Sequence, residues 1–246
     1  MSKLLKLARD TLTIEIAGLE ELSRRLDDKF EHAVDLLYNC QGKVILAGMG
    51  KSGLIAQKIA ATLTSTGTPS LFLHAGESSH GDLGIITRQD VVIAFSYSGE
   101  TVEVLQMIGH ISALGISMIA ITGNPNSALA KASTVYLSVA VDKEACPLGL
   151  APTASSTVTL ALGDALAMCL LEKRNFSEDD FAMFHPGGSL GRKLTIRTKD
   201  VMVEGDMLPI VPEDMLMREA MDVLLSKNLG IIVGINQHGK IKGVFT

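Results

Sequence analysis

Hydroxyls, carboxylates, imidazoles and one lysine recur along the chain in short clusters beside glycine. The densest is Ser96-Tyr97-Ser98-Gly99-Glu100-Thr101, with Glu103 just beyond it. Gly99 permits a tight backbone. Ser96, Ser98 and Thr101 can aim hydroxyls at one point, and a helix start would add unpaired N–H groups. Together these form a seat for a phosphate monoester. Taken alone, Ser98 or Thr101 serves equally well as a helix cap. A second turn of the same kind, Gly48-Met49-Gly50-Lys51-Ser52-Gly53, tips the balance toward an anion. It brings a cation at Lys51 and a hydroxyl at Ser52. A lysine at a helix start opposes the helix dipole, so its placement there favours a functional reason.

Acid–base groups lie elsewhere. His74-Ala75-Gly76-Glu77-Ser78-Ser79-His80-Gly81-Asp82 carries two imidazoles in one loop, at the carboxyl end of a strand. In open α/β sheets that is the ligand side, which suits His80 to substrate contact or proton transfer. The spacing is not the H-E-x-x-H of zinc proteases, and a third strong metal ligand is not evident. His185 precedes Pro186-Gly187-Gly188 and is held in extended backbone, where a structural role is equally open. Glu144, in the loop Asp142–Thr153, reads from spacing alone as a surface charge.

Two nucleotide motifs fail. Gly48–Gly53 matches G-x-G-x-x-G, but the next strand ends in His74, where a dinucleotide site wants an acid. A phosphate loop of the ATPase type needs glycine where Ile45 stands. A Gly-rich turn opening a helix remains, suited to a small phosphorylated ligand.

These turns need a frame to hold them. Apolar runs predict strands at Lys43–Ala47, Ser70–Leu73, Val91–Phe95, Ile116–Ile121 and Thr134–Val139. Helical spacing falls between them, as in Val104, Leu105, Ile108 and Ile111. Alternating strands and helices predict an open, five-stranded parallel sheet with helices on both faces. Ahead of it, Leu5, Leu12, Ile16, Leu19 and Leu22, then Phe30, Val34 and Leu37, predict two helices with a break near Asp27-Asp28. A long apolar helix is expected from Thr153 to about Glu172, with Asp164 in need of a partner if buried. After Arg197 the texture changes to a β-α-β-β pattern. Domains of 1–197 and 201–246 are expected, the second ending on an uncapped strand as a truncated unit would.

With 47% hydrophobic but only 4% aromatic residues and no Trp, the 246-residue chain predicts an aliphatic core, as parallel sheets prefer. A net charge of −5 gives no electrostatic case for nucleic acid. Cys40, Cys146 and Cys169 show no metal or redox spacing and fit reduced cytoplasmic thiols. The apolar run Thr157–Leu171, broken by Gly163-Asp164, reads as too short to span a bilayer, so no membrane partner is expected.

The clusters Gly48–Gly53, His74–Asp82, Ser96–Thr101, Glu144–Thr153 and Phe184–Arg192 occur together and in the order found in bacterial arabinose-5-phosphate isomerases. The chain resembles that family, which joins a flavodoxin-like sugar-isomerase (SIS) domain to a pair of cystathionine-β-synthase (CBS) repeats. Residues 201–246 look like most of one α+β CBS repeat. The resemblance implies interconversion of D-ribulose 5-phosphate and D-arabinose 5-phosphate through an enediolate. That reaction supplies Kdo (3-deoxy-D-manno-octulosonate) for lipopolysaccharide or capsule. It implies catalytic positions at Lys51, Glu103, Glu144 and His185, and substrate contacts at Ser52, His80, Ser96, Ser98 and Thr101. It further implies a homotetramer with shared sites, no required cofactor, and inhibitory zinc at His74. The competing expectations are an isomerase of another phosphosugar and a SIS module that senses a sugar phosphate without catalysis.

Overall fold

The structure, a computed structural model, describes residues 2–78, 81–185 and 196–246. The chain divides into two compact units, Met1–Gly191 and Arg192–Thr246. The boundary falls a few residues before the one expected from composition.

The first unit is built on five strands: β1 (Val44–Gly48), β2 (Ser70–His74), β3 (Val91–Phe95), β4 (Met118–Thr122) and β5 (Val135–Ser138). All pair in parallel, in the order β2-β1-β3-β4-β5. β1, β3 and β4 are buried along their whole length. Alternate residues serve opposite faces. Val44, Leu46, Ile93 and Phe95 pack under one helical layer, formed by α1 (Lys3–Arg24), α2 (Asp28–Tyr38), α3 (Gly50–Ser65) and α7 (Ala154–Lys173). Ile45, Ala47, Val92 and Ala94 pack under the other, formed by α4 (Ala75–Ser78), α5 (Val102–Leu114) and α6 (Ala128–Ala132). Burial on both faces explains the unbroken apolar runs.

Local chemistry accounts for the boundaries. Asp27 caps α2 by accepting from Lys29 N at 3.0 Å, which makes the break after α1. Gly163 lets α7 lie against α3, since a Cβ there would stand 2.2 Å from Ile59 Cδ1. Asp164, expected to need a partner if buried, is half-exposed and is paired with Lys58 at 2.5 Å. α7 is longer than the apolar run seen in the sequence, and by length and composition it is long and apolar enough to cross a membrane. The expectation that this segment is too short is therefore corrected. Half of its apolar window is buried within the unit, where it packs on α1, α2 and α3. A central helix is apolar all round for that reason.

Two segments depart from expectation. The residues after His74 form the helical turn α4 rather than a plain loop. α8 (Glu178–Phe184) is an element the apolar spacing does not signal, although Ser177 and Asp180 supply a capping box that marks its start.

The second unit has α9 (Thr198–Val201), β6 (Ile210–Pro212), α10 (Met217–Lys227), β7 (Ile232–Ile235) and β8 (Ile241–Phe245). β6 runs parallel to β7, and β8 returns antiparallel. Val211, Ala220 and Ile232 form its small core.

Candidate active site

In this strand order the chain leaves β1 toward β2 at one edge and leaves β3 toward β4 at the other. β1 and β3 are neighbours, so a crevice opens between their carboxyl ends. Ligands of doubly wound sheets bind at such a point. Both glycine-and-hydroxyl turns sit there, each opening a helix.

At the first turn, Gly50 has φ +53°, which favours glycine. Gly48 and Gly53 allow α3 to start hard against β1: a Cβ on Gly53 would stand 3.0 Å from Gly48 O. Met49 is the N-cap and supplies no side-chain bond to the helix. At the second turn, Gly99 has φ +69°, and a Cβ there would stand 2.1 Å from Ser127 Oγ. Thr101 is the N-cap of α5, yet its hydroxyl does not cap. Its Oγ1 lies 2.7 Å from Ser96 Oγ. Ser96 is buried and its Oγ accepts from Gly99 N at 3.0 Å. Ser98 Oγ accepts from Glu100 N at 3.2 Å. The hydroxyls are thus held by the turn, while the first-turn N–H groups of α3 and α5 have no side-chain cap. Two positive helix ends meeting at one crevice suit a dianion.

Glu144 joins this crevice from the loop between β5 and α7. With Ser52, Ser96, Tyr97, Ser155 and Ser156 it lines a cavity of about 220 Å³ over an apolar floor. Its Oε2 accepts from Thr153 N at 2.7 Å, Thr153 Oγ1 at 2.8 Å and Ser155 N at 3.4 Å. Burial by itself would raise its pKa. Hydrogen bonds from Ser155 and Thr153 outweigh that and hold the carboxyl below its ordinary range. The surface-charge reading of Glu144 is corrected: it is half-buried and pinned at the start of α7.

The remaining expected residues are distributed as follows. Lys51 lies on the first turn of α3, exposed and next to Ser52. Glu103 is half-buried on the first turn of α5, two residues past Thr101. His74 ends β2 and is exposed, its ring edge-on to Phe72 at 6.4 Å. Among the described residues no group of three or more His, Cys, Asp or Glu gathers to hold a metal. His80 and the Pro186–Arg192 segment lie outside the described residues. His185 is not brought to the Ser96–Glu144 cavity. It stacks on Phe181 at 4.0 Å, with Nδ1 2.9 Å from Phe181 O. It lines a separate cavity of about 660 Å³ along β2 and α3. Tyr97 belongs to the hydroxyl cluster, but its spacing suggests no role. The structure puts it in the cavity wall, its ring against Gly123 and its OH accepting from Val141 N at 3.3 Å.

Comparison with known proteins identifies relatives in sequence and in fold. The SIS domain family matches residues 36–169. Arabinose 5-phosphate isomerase KdsD of Salmonella typhi is 50% identical over 238 residues, covering 97% of this chain and 73% of that protein. KdsD of Pseudomonas aeruginosa is 50% identical over 239 residues with the same coverage. Among solved structures, a protein of E. coli CFT073 in complex with arabinose 5-phosphate superposes with a TM-score of 0.73 at 42% identity. The match covers 76% of this chain and 100% of that one.

Proposed function

The chain belongs to the SIS-domain arabinose 5-phosphate isomerases, and from that premise we propose how its residues divide the reaction. The enzyme interconverts D-ribulose 5-phosphate and D-arabinose 5-phosphate, feeding Kdo synthesis. The observation that carries the residue assignment is the meeting of two helix starts without side-chain caps at the β1/β3 crevice, with Ser96 and Ser52 between them.

The phosphate docks against Ser96, Ser98, Thr101 and Ser52, where helix N–H groups and hydroxyls converge. An aldose–ketose isomerisation moves a proton between adjacent carbons through an enediolate. It needs a base at carbon and stabilisation of the oxyanion. Glu103, one turn from the phosphate seat, takes the C1 proton of the ketose and returns a proton to C2. Exchange of that base role with His185 is the alternative assignment. Lys51 stabilises the developing oxyanion at O2. As O2 gains a proton and O1 loses one, His185 moves these hydroxyl protons and His80 orients them. Glu144 contributes a fixed negative charge from the opposite wall.

His185 faces a different cavity within its own chain, which supports its supply by a neighbouring subunit. We accordingly assign the enzyme as a homotetramer with shared sites. We further assign it to the cytoplasm, with no redox or nucleotide cofactor, and with zinc acting at His74 only as an inhibitor. Residues 201–246 are read as most of one CBS repeat, whose β-α-β-β order the second unit has.

The test is NMR of ribulose 5-phosphate with the purified chain in deuterated water. Arabinose 5-phosphate carrying deuterium at C2 is expected. Glu103→Gln should abolish both turnover and exchange, whereas near-normal values in that variant would overturn its role. Absence of product from the unaltered chain would overturn the reaction itself.

A further inference from the structure

From the hydrogen bonds around Thr153 we infer that it is a positioning residue for the isomerisation, holding the Glu144 carboxylate in place and in its charged form. The inference rests on the assignment of Glu144 to the site, made above. Thr153 is the N-cap of α7, the place where a threonine hydroxyl ordinarily caps. Here it does not cap. Its Oγ1 accepts from Ala145 N at 2.8 Å and donates to Glu144 Oε2 at 2.8 Å. The carboxylate does the capping instead, accepting from Thr153 N and Ser155 N.

The direction of the hydroxyl proton follows from this exchange. A hydroxyl has a single proton, and the Ala145 N–H occupies a lone pair, which leaves the proton aimed at Oε2. Oε2 therefore meets donors only. A proton placed on that oxygen would oppose the Thr153 hydroxyl proton and two N–H groups, so the charged form is the one the site favours. The start of the long helix α7 adds its positive end to the same effect. Geometry is set as well, because Thr153 ties both ends of the loop that walls the cavity, where Gly149, Leu150 and Pro152 also lie. Among the described residues, Tyr97 is the other ionisable side chain in that wall. Lys51 adjoins it through Ser52, and Asp142 and Lys143 precede Glu144 in the loop.

The experiment compares Thr153→Val, which keeps the shape and loses the hydroxyl, with Thr153→Ser. In T153V we expect kcat to fall about 10- to 100-fold with KM within about threefold, since one hydrogen bond to a charged group is lost. The acid limb of the kcat/KM profile should move up by about one pH unit. T153S should restore both. A T153V enzyme with a lowered Tm but unchanged kcat and acid limb would reduce Thr153 to a structural residue and overturn the inference. Should T153V fail to fold, the unaltered enzyme decides by ¹³C NMR titration of the Glu144 carboxyl, assigned by its loss in Glu144→Gln. Titration below the ordinary glutamate range is expected, and titration at or above it overturns the inference. Near-normal turnover in E144Q would instead overturn the underlying placement of Glu144 in the reaction.

Discussion

Replacing Gly99 by alanine tests whether the phosphate seat depends on one backbone position. Gly99 sits at φ +69°, where a Cβ costs about 1–2 kcal/mol. The added methyl would also stand 2.1 Å from Ser127 Oγ and 2.9 Å from Thr122 Oγ1. Both hydroxyls belong to buried residues. Ser127 Oγ caps α6 by accepting from Ala130 N, and it donates to Asn124 O at 2.8 Å. Moving it forfeits a cap, about 1 kcal/mol, and leaves a buried polar group unpaired, about 1–3 kcal/mol. The total is about 3–6 kcal/mol, a fall in Tm of roughly 6–24 °C for a unit of this size. The shift also pulls Gly99 N off Ser96 Oγ, so KM for the sugar phosphate should rise at least about tenfold in variants that remain folded. Gly109→Ala is the control: Gly109 lies exposed within α5, and a Cβ there meets nothing within 4 Å. It should leave KM alone and stabilise the protein by about 0.5–1 kcal/mol. Differential scanning calorimetry and initial-rate kinetics read both. Equal Tm and KM in G99A and the unaltered enzyme would refute the reasoning.

Two further outcomes are expected. Lys51→Ala should lower kcat by about 10²–10³-fold if Lys51 stabilises the oxyanion, while the circular dichroism spectrum and Tm stay as they were, since the side chain is exposed. Asp90 bears on pH stability. Its side chain is 1% exposed and accepts from Lys43 N and Thr87 N, both at 2.8 Å, with Lys43 Nζ at 3.4 Å. Burial opposes its charge, but the N–H groups of Lys43 and Thr87 prevail and hold its pKa below the ordinary value, as at Glu144. A depressed folded-state pKa means stability that is present above the ordinary carboxylate range and lost as pH falls through the folded value. Urea midpoints should therefore drop below about pH 4, and Asp90→Asn should be less stable at neutral pH with a shallower acid loss. An unchanged slope in D90N would show that Asp90 contributes nothing to it.

Much of the fold is legible along the chain because its signals are local. Strand β3 falls on the expected Val91–Phe95, and the break between α1 and α2 falls where Asp27 can cap. α8 escapes that reading although its Ser177–Asp180 box is equally local, because a histidine before proline argues for extended backbone just beyond it. The span of α7 is legible, expected from Thr153 to about Glu172 and found at Ala154–Lys173, although its glycine and aspartate look like interruptions of the apolar run. In the folded chain Gly163 admits Ile59, and Asp164 meets Lys58.

The glycines and hydroxyls at Gly48–Gly53 and Ser96–Thr101 announce an anion site by themselves, because a turn that opens a helix is a property of a few consecutive residues. What those residues bind around is a property of the sheet. Only the β2-β1-β3-β4-β5 order sets the two turns side by side, and only the return of the chain after β5 brings Glu144 to Ser52 and Ser96. Thr153 locks onto the Glu144 carboxylate at 2.8 Å, and Thr101 turns its hydroxyl to Ser96 at 2.7 Å rather than to its own helix. Local spacing limits which partners are within reach. Packing of distant elements selects among them, because a hydrogen bond is decided over tenths of an ångström.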